Sequence, residues 1–203
     1  MPTLIWLGNL AALEINQMLA RSPALTKHDI ILIDLDPHYP ATFRHARTVA
    51  VGLAAVLERL KLEFLVKTSG AEGLHFFVPI EPTYSVGKIR RFVHALGRLV
   101  EKADPKLATV STRPARKTGR VYIDFLQNGL GKTITAPFSV RALPKAPVSF
   151  PLTEHELHDH RLTPEWFTVR TAPRRLKHMK RKHYLSELSQ DLKPALQRLG
   201  VAG

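Results

Sequence analysis

The sequence predicts an α+β protein whose core is a four-stranded sheet built in the order β-α-β-β-α-β, and three observations predict it. First, Ile30-Ile-Leu-Ile-Asp-Leu-Asp36 is a short run rich in β-branched residues closed by Pro37 and Pro40, which reads as a buried strand ending in two acids. Second, two long stretches, 42–60 and 85–103, repeat apolar residues at spacings of three and four, the stripe of an amphipathic helix. Third, the segments between and after them are short apolar runs bounded by Gly and Pro.

Taken in order, the strand at 30–36 is followed by a helix from Thr42 to Leu60 whose stripe is Phe43, Ala46, Val49, Ala50, Leu53, Val56, Leu57 and Leu60. Residues 63–69 form the second strand, Gly70 to Gly73 a turn, and 74–80 the third strand, ending near Pro79 and Pro82. The second helix, Ser85 to Ala103, has Ile89, Phe92, Val93, Leu96, Leu99 and Val100 on one face and Lys88, Arg90, Arg91 and Arg98 mostly off it. Residues 121–126 are the fourth strand. This is the ferredoxin-like or RRM-like arrangement, also used by polymerase palms. Right-handed crossovers give the sheet order 4-1-3-2, with strand one antiparallel to both neighbours. Beyond residue 125, two glycines and four prolines between 127 and 152 predict loops and short edge strands folding over the palm. The expected division is a catalytic palm over 1–152, with 1–29 as a lead-in, and a basic helical extension over 153–203.

Composition narrows the chemistry. The 203 residues carry 30 Lys and Arg against 17 Asp and Glu, a formal charge of +13, with 44% apolar residues and no cysteine. A core is affordable at this length, and sulfur-based metal, redox and nucleophile chemistry is excluded. The positive excess favours a polyanionic partner. Residues 161–203 hold ten basic residues against three acids, centred on Arg174, Arg175 and Lys177, and residues 105–120 hold five basic residues, among them Lys117, with no acid. No apolar run is long enough to span a bilayer, so the expected location is the cytoplasm, associated with the nucleoid.

The predicted topology gathers Asp34 and Asp36 at the end of strand one, His75 at the start of strand three and Asp124 early in strand four at one sheet edge. Three carboxylates so placed could hold two divalent ions about 3.5–4 Å apart, a phosphoryl-transfer device. Oxygen ligands suit Mg²⁺ or Mn²⁺. Ser69-Gly-Ala-Glu-Gly-Leu-His75 offers backbone N–H groups, a hydroxyl and an imidazole to a triphosphate. Gly129-Leu-Gly-Lys-Thr133 is not a P-loop, because Leu126 stands where the motif needs its first glycine. Lys132 and Arg141 remain able to reach a phosphate. His155, His158 and His160 with Asp159 sit in one polar stretch and read as a solvated face.

Together, Leu4-Ile-Trp-Leu-Gly-Asn-Leu, Ile33-Asp-Leu-Asp-Pro37, Lys67-Thr-Ser-Gly-x-x-Gly-Leu-His75, Tyr122-Ile-Asp-Phe-Leu-Gln-Asn128 and Thr135-Ala-Pro-Phe-Ser-Val-Arg141 resemble in order and spacing the polymerase domain of bacterial DNA ligase D, of the archaeo-eukaryotic primase superfamily. The resemblance reaches Phe167-Thr-Val-Arg-Thr171. It implies a primase-polymerase that extends DNA ends with ribo- or deoxyribonucleotides in non-homologous end joining, uses two Mn²⁺ or Mg²⁺ ions, takes NTP or dNTP, and works with a Ku-like protein and an ATP-dependent ligase. By motif, Asp34, Asp36 and Asp124 would ligate metal. Ser69, His75 and Arg141 would contact the triphosphate, with Lys67, Gln127 and Lys132 as further nucleotide contacts. Lys117, Arg174, Arg175 and Lys177 would meet DNA.

The chain departs from the family pattern at Glu14-Ile-Asn-Gln-Met18, where Asn16 replaces a histidine near the active site, and activity is expected to fall accordingly. The family's N-terminal template-gripping segment, roughly a third of its domain, is expected to be missing. Two other readings stand beside this one. The first is a truncated DNA-binding module of the end-joining machinery without turnover. The second is a haloacid-dehalogenase-type phosphatase, which also uses D-x-D but wants Thr or Val at His38 and later paired acids.

Overall fold

A computed structural model describes residues 2–179 and 188–201, so Lys180, Arg181 and Lys182 of the basic segment 161–203 lie outside the described residues. The chain runs α1 (Pro2–Asn9), β1 (Asn16–Met18), β2 (Ile30–Pro37), α2 (Phe43–Arg59), β3 (Leu65–Thr68), β4 (Leu74–Pro79), α3 (Val86–Ala103), β5 (Ala108–Thr109), α4 (Pro114–Lys117), β6 (Val121–Asp124), β7 (Thr133–Thr135), α5 (Glu154–His158), α6 (Ala172–Lys177) and α7 (Lys193–Arg198). The main sheet has the order β3-β4-β2-β6-β5, and β2 is antiparallel to both β4 and β6. The predicted 4-1-3-2 order is therefore present, with β5 added in parallel outside β6. Two residues carry no readable period, so β5 is invisible in a sequence pattern.

Alternation along β2 sorts its side chains between two environments. Ile31, Ile33 and Leu35 join α2 and α3 in the large core. Leu32 packs on the other face with Leu19, Leu65, Phe77 and Ile134. Because only Leu32 and its few partners fill that second face, the positions further along β2, Asp34 and Asp36, are left to a polar site. The β1–β7 ribbon, paired from Asn16↔Thr135 to Met18↔Thr133, supplies Ile134 to this smaller cluster and forms a wall beside it.

The C-terminal segments fold onto the same large core through Leu157, Leu162, Phe167, Ala172, Leu192, Ala195 and Leu196. The stretch before them borders β3: Thr68 N–H donates to Phe150 O and Leu152 N–H to Val66 O. Helix α1 contributes little to either core, with Leu4, Ile5 and Trp6 exposed. Among the described residues no helix is long and apolar enough to cross a membrane.

Asn128 completes the sheet edge in a way that the sequence pattern does not reveal. Its fully buried side chain accepts from Leu32 N–H at 2.9 Å and donates to Leu32 O at 2.7 Å, acting as one residue of a neighbouring strand. Asn128→Ala leaves both backbone groups buried without a partner, so a loss of about 2–4 kcal/mol is expected. Denaturant unfolding measures it; a change below about 0.5 kcal/mol would show that the pair is immaterial.

Candidate active site

One row of side chains crosses the sheet at a single register. Lys67 on β3 lies opposite His75 on β4, His75 opposite Asp34 on β2, and Asp34 opposite Asp124 on β6. Asp36, two residues beyond Asp34, lies opposite Tyr122 and shares the face of the row. The antiparallel pairing predicted from the topology thus brings Asp34, Asp36, Asp124 and His75 together.

The acids are electrostatically crowded. Asp34 is nearly fully buried, and burial, followed by the charges of Asp36 and Asp124, holds its pKa well above the ordinary carboxylate value. Burial and Asp124 also raise Asp36, with partial relief from His38 and Lys117. One oxygen of Asp34, Oδ1, is buried and accepts no aligned hydrogen bond, although His75 Nε2 lies 3.3 Å away. Asp124 Oδ1 is occupied by Leu126 N–H at 2.8 Å and Tyr122 O–H at 3.2 Å. Among the described residues no group of three or more His, Asp or Glu is arranged so that it could hold a metal ion. The chemistry of the donors, as distinct from their arrangement, suits a hard divalent cation: all the oxygens are carboxylate, one is buried without an aligned donor, and the mutual repulsion is the kind that a bound cation relieves.

Beside the acids opens a cleft of about 590 Å³, lined among others by Asn16, Asp34, Asp36, Ser69, Gly73, His75, Thr135 and Arg141. The turn between β3 and β4 forms its floor. Ser69 Oγ accepts from Ala71 N–H and Gly73 N–H, both at 3.0 Å, so these two amides hold the turn, and only the Ser69 hydroxyl proton is left to donate outward. Both glycines of this turn are required by space. Gly70 has φ +75°, and a Cβ there would meet Arg141 Cγ at 2.7 Å; at Gly73 a Cβ would lie 2.6 Å from Leu35 O. The turn is therefore packed directly against Arg141 on one side and β2 on the other.

Arg141 is aimed by two contacts. Its Nη1 donates to Ser69 O at 3.1 Å, and its Nε lies 3.1 Å from Glu14 Oε1, an oxygen that also accepts from Ala142 N–H. Glu14 is a positioning residue not assigned a role from the sequence; its only sequence signal was membership of the segment just before β1.

Other expected contacts fall elsewhere. Lys67 is fully buried and does not line the cleft. Its Nζ is 2.8 Å from His75 Nδ1 and donates to Ser149 Oγ at 2.5 Å, so in this arrangement it reaches the cleft through His75. Ser149, which also lay outside the sequence reading, donates on to Thr68 O. Gln127 donates to Thr133 O within its own loop. Lys132 is exposed, on a turn that leads into a strand and not a helix, which agrees with the rejection of a P-loop. The Lys117 ammonium lies over the Tyr122 ring at 3.3 Å, near Asp36. Arg174 and Lys177 are exposed, whereas Arg175 is held by both oxygens of Glu156 at 2.7 and 3.0 Å and its charge is already answered. His155, His158 and His160 are exposed, and Arg161 grips Asp159.

Comparison with known proteins gives a consistent result. The family described as "LigD, primase-polymerase domain" matches residues 1–183. The bifunctional non-homologous end joining protein LigD of Bacillus subtilis is 32% identical over 182 residues, covering 87% of this chain and 29% of that protein. The multifunctional LigD of Pseudomonas aeruginosa is 27% identical over 167 residues, 82% of this chain and 20% of that protein. Among solved structures, the polymerase domain from Mycobacterium tuberculosis ligase D in complex with DNA superposes with a TM-score of 0.77 at 26% identity, over 97% of this chain and 66% of that one. The chain thus spans less than a third of the length of these two relatives.

Proposed function

The chain belongs to the LigD primase-polymerase family, an α+β fold of the archaeo-eukaryotic primase type, and from that premise we propose that it is the catalytic palm of a nucleotidyltransferase that extends DNA ends in non-homologous end joining. The observation that carries the proposal is the junction of the Asp34, Asp36 and Asp124 row with the cleft lined by Ser69, His75 and Arg141. Two Mn²⁺ or Mg²⁺ ions held by the three carboxylates would polarise the attacking 3′-hydroxyl and neutralise the triphosphate. The chain's own residues do the rest. Arg141, fixed by Glu14 and Ser69 O, offers its guanidinium to phosphate oxygens, and the Ser69 hydroxyl and His75 Nε2–H donate from the floor. Lys117, Arg174 and Lys177 present charge to a DNA backbone; the DNA complex of the M. tuberculosis domain supports DNA as the partner. A Ku-like protein and an ATP-dependent ligase complete the proposed pathway.

The test is single-nucleotide addition to a DNA end with Mn²⁺, measured with DNA affinity on the same preparation. Incorporation supports the proposal; tight binding without incorporation would make the chain a DNA-binding module instead. Arg141→Ala is expected to raise KM for the nucleotide about 10- to 100-fold with a smaller effect on kcat. An unchanged KM would remove Arg141 from the triphosphate site.

A further inference from the structure

A fully buried lysine is an expensive choice beside Leu65 and Phe77, where an aliphatic residue would pack without desolvating a charge. Lys67 Nζ sits 5.3 Å from the Phe77 ring centroid and has two polar neighbours, His75 Nδ1 and Ser149 Oγ. The direction of each bond can be worked out. Ser149 spends its proton on Thr68 O, so its oxygen accepts from Lys67. His75 Nε2 faces the Asp34 carboxylate at 3.3 Å, where a lone pair would be repelled and an N–H attracted. An ammonium has only donors, so the Nδ1 atom 2.8 Å from Nζ accepts, and the ring proton sits on Nε2.

From this geometry we propose that the buried Lys67 ammonium is a positioning group that locks His75 in the tautomer bearing its proton on Nε2, so that the imidazole donates toward Asp34 and the cleft. Among the described residues Lys67 is the hydrogen-bond neighbour of Nδ1, and without it only the longer 3.3 Å contact of Nε2 with Asp34 favours that tautomer; the alternative one would turn a lone pair toward a carboxylate and toward any anionic ligand. Ser149 holds the ammonium from behind, which is why a serine is useful in an otherwise apolar strip formed by Val148, Phe150 and Leu152. Only the kinetic part of this inference rests on the cleft being a triphosphate site.

The experiment is NMR of the chain labelled with ¹⁵N at histidine, with the His75 ring signals assigned by their loss in His75→Gln. At pH 6, below the value of about 7 to which burial lowers Lys67, wild-type protein is expected to show a single tautomer protonated at Nε2. Lys67→Met, an unbranched uncharged side chain one atom shorter, is expected to give mixed tautomer signals, and Ser149→Ala a weaker change in the same direction. The KM for nucleotide should rise about tenfold in Lys67→Met while kcat changes less than about threefold. An Nδ1-protonated ring in wild type, or unchanged ring signals in a Lys67→Met protein that keeps its amide spectrum, overturns the proposal. Should Lys67→Met not fold, the wild-type tautomer and Ser149→Ala decide. A changed tautomer with an unchanged KM supports the role of Lys67 and counts against the nucleotide reading of the cleft, so the two ideas fail separately.

Discussion

Asp34→Asn is expected to reduce nucleotide addition by at least about a thousandfold while raising thermal stability. Both effects come from the same crowding. Asp34 is almost fully buried and carries a pKa pushed up by burial and by Asp36 and Asp124, so in the absence of a cation its charge works against the fold. An amide of the same shape removes that charge and two repulsions. The gain is partly offset because Asp34 is the neighbour that favours the charged form of Lys67. A net stabilisation of roughly 1–2 kcal/mol is therefore expected in metal-free buffer, a rise in Tm of about 2–8 °C for a chain of this size. Activity assays and melts of one preparation check both halves. Retained activity would remove Asp34 from the chemistry, and a fall in Tm comparable to that of Asn128→Ala would mean that Asp34 serves the fold instead.

The contrast between these two residues shows what a sequence can and cannot disclose. Asp34, Asp36, Asp124 and His75 could be brought to one edge from the sequence because strand period and crossover handedness are local rules that hold across the whole sheet. Ser69 is legible from the glycine turn and Arg141 as a nearby cation, the family motifs point to both, and both line the cleft. Lys67, expected among the nucleotide contacts, is on the site face by its period of 2, yet the segment 148–152, whose pairing with β3 is non-local, covers it. Ser149, Glu14 and Asn128 act through partners 82, 128 and 96 residues away in sequence. Their local surroundings carry no period, only loop composition, so nothing local could announce these roles. Arg175 looked like a free cation until Glu156, nineteen residues earlier, closed on it.

Metal binding should make stability depend on pH in a defined direction. The raised pKa values of Asp34 and Asp36 mean that the folded chain binds their protons more tightly than the unfolded chain does. Their contribution is fully present below the unfolded value of 3.8 and is lost as pH rises through the folded values. Lys67 acts in a different window. Its pKa falls from 10.5 to about 7, so the cost of burying its charge is fully present below pH 7 and is relieved as pH rises toward 10.5. Metal-free protein should therefore lose the carboxylate contribution on leaving the acid range and recover part of the lysine contribution above neutrality. On the proposed function Mn²⁺ would compete with protons for the carboxylates, so the difference in Tm between protein with Mn²⁺ and metal-free protein should be near zero at pH 4 and widen toward pH 7. At a hundredfold excess over Kd the stabilisation reaches about 2.7 kcal/mol, or roughly 5–10 °C. Differential melts across this range, repeated on Asp34→Asn, measure it. A shift of equal size at every pH, or one that survives in Asp34→Asn, would show that the cation binds somewhere other than the carboxylate row.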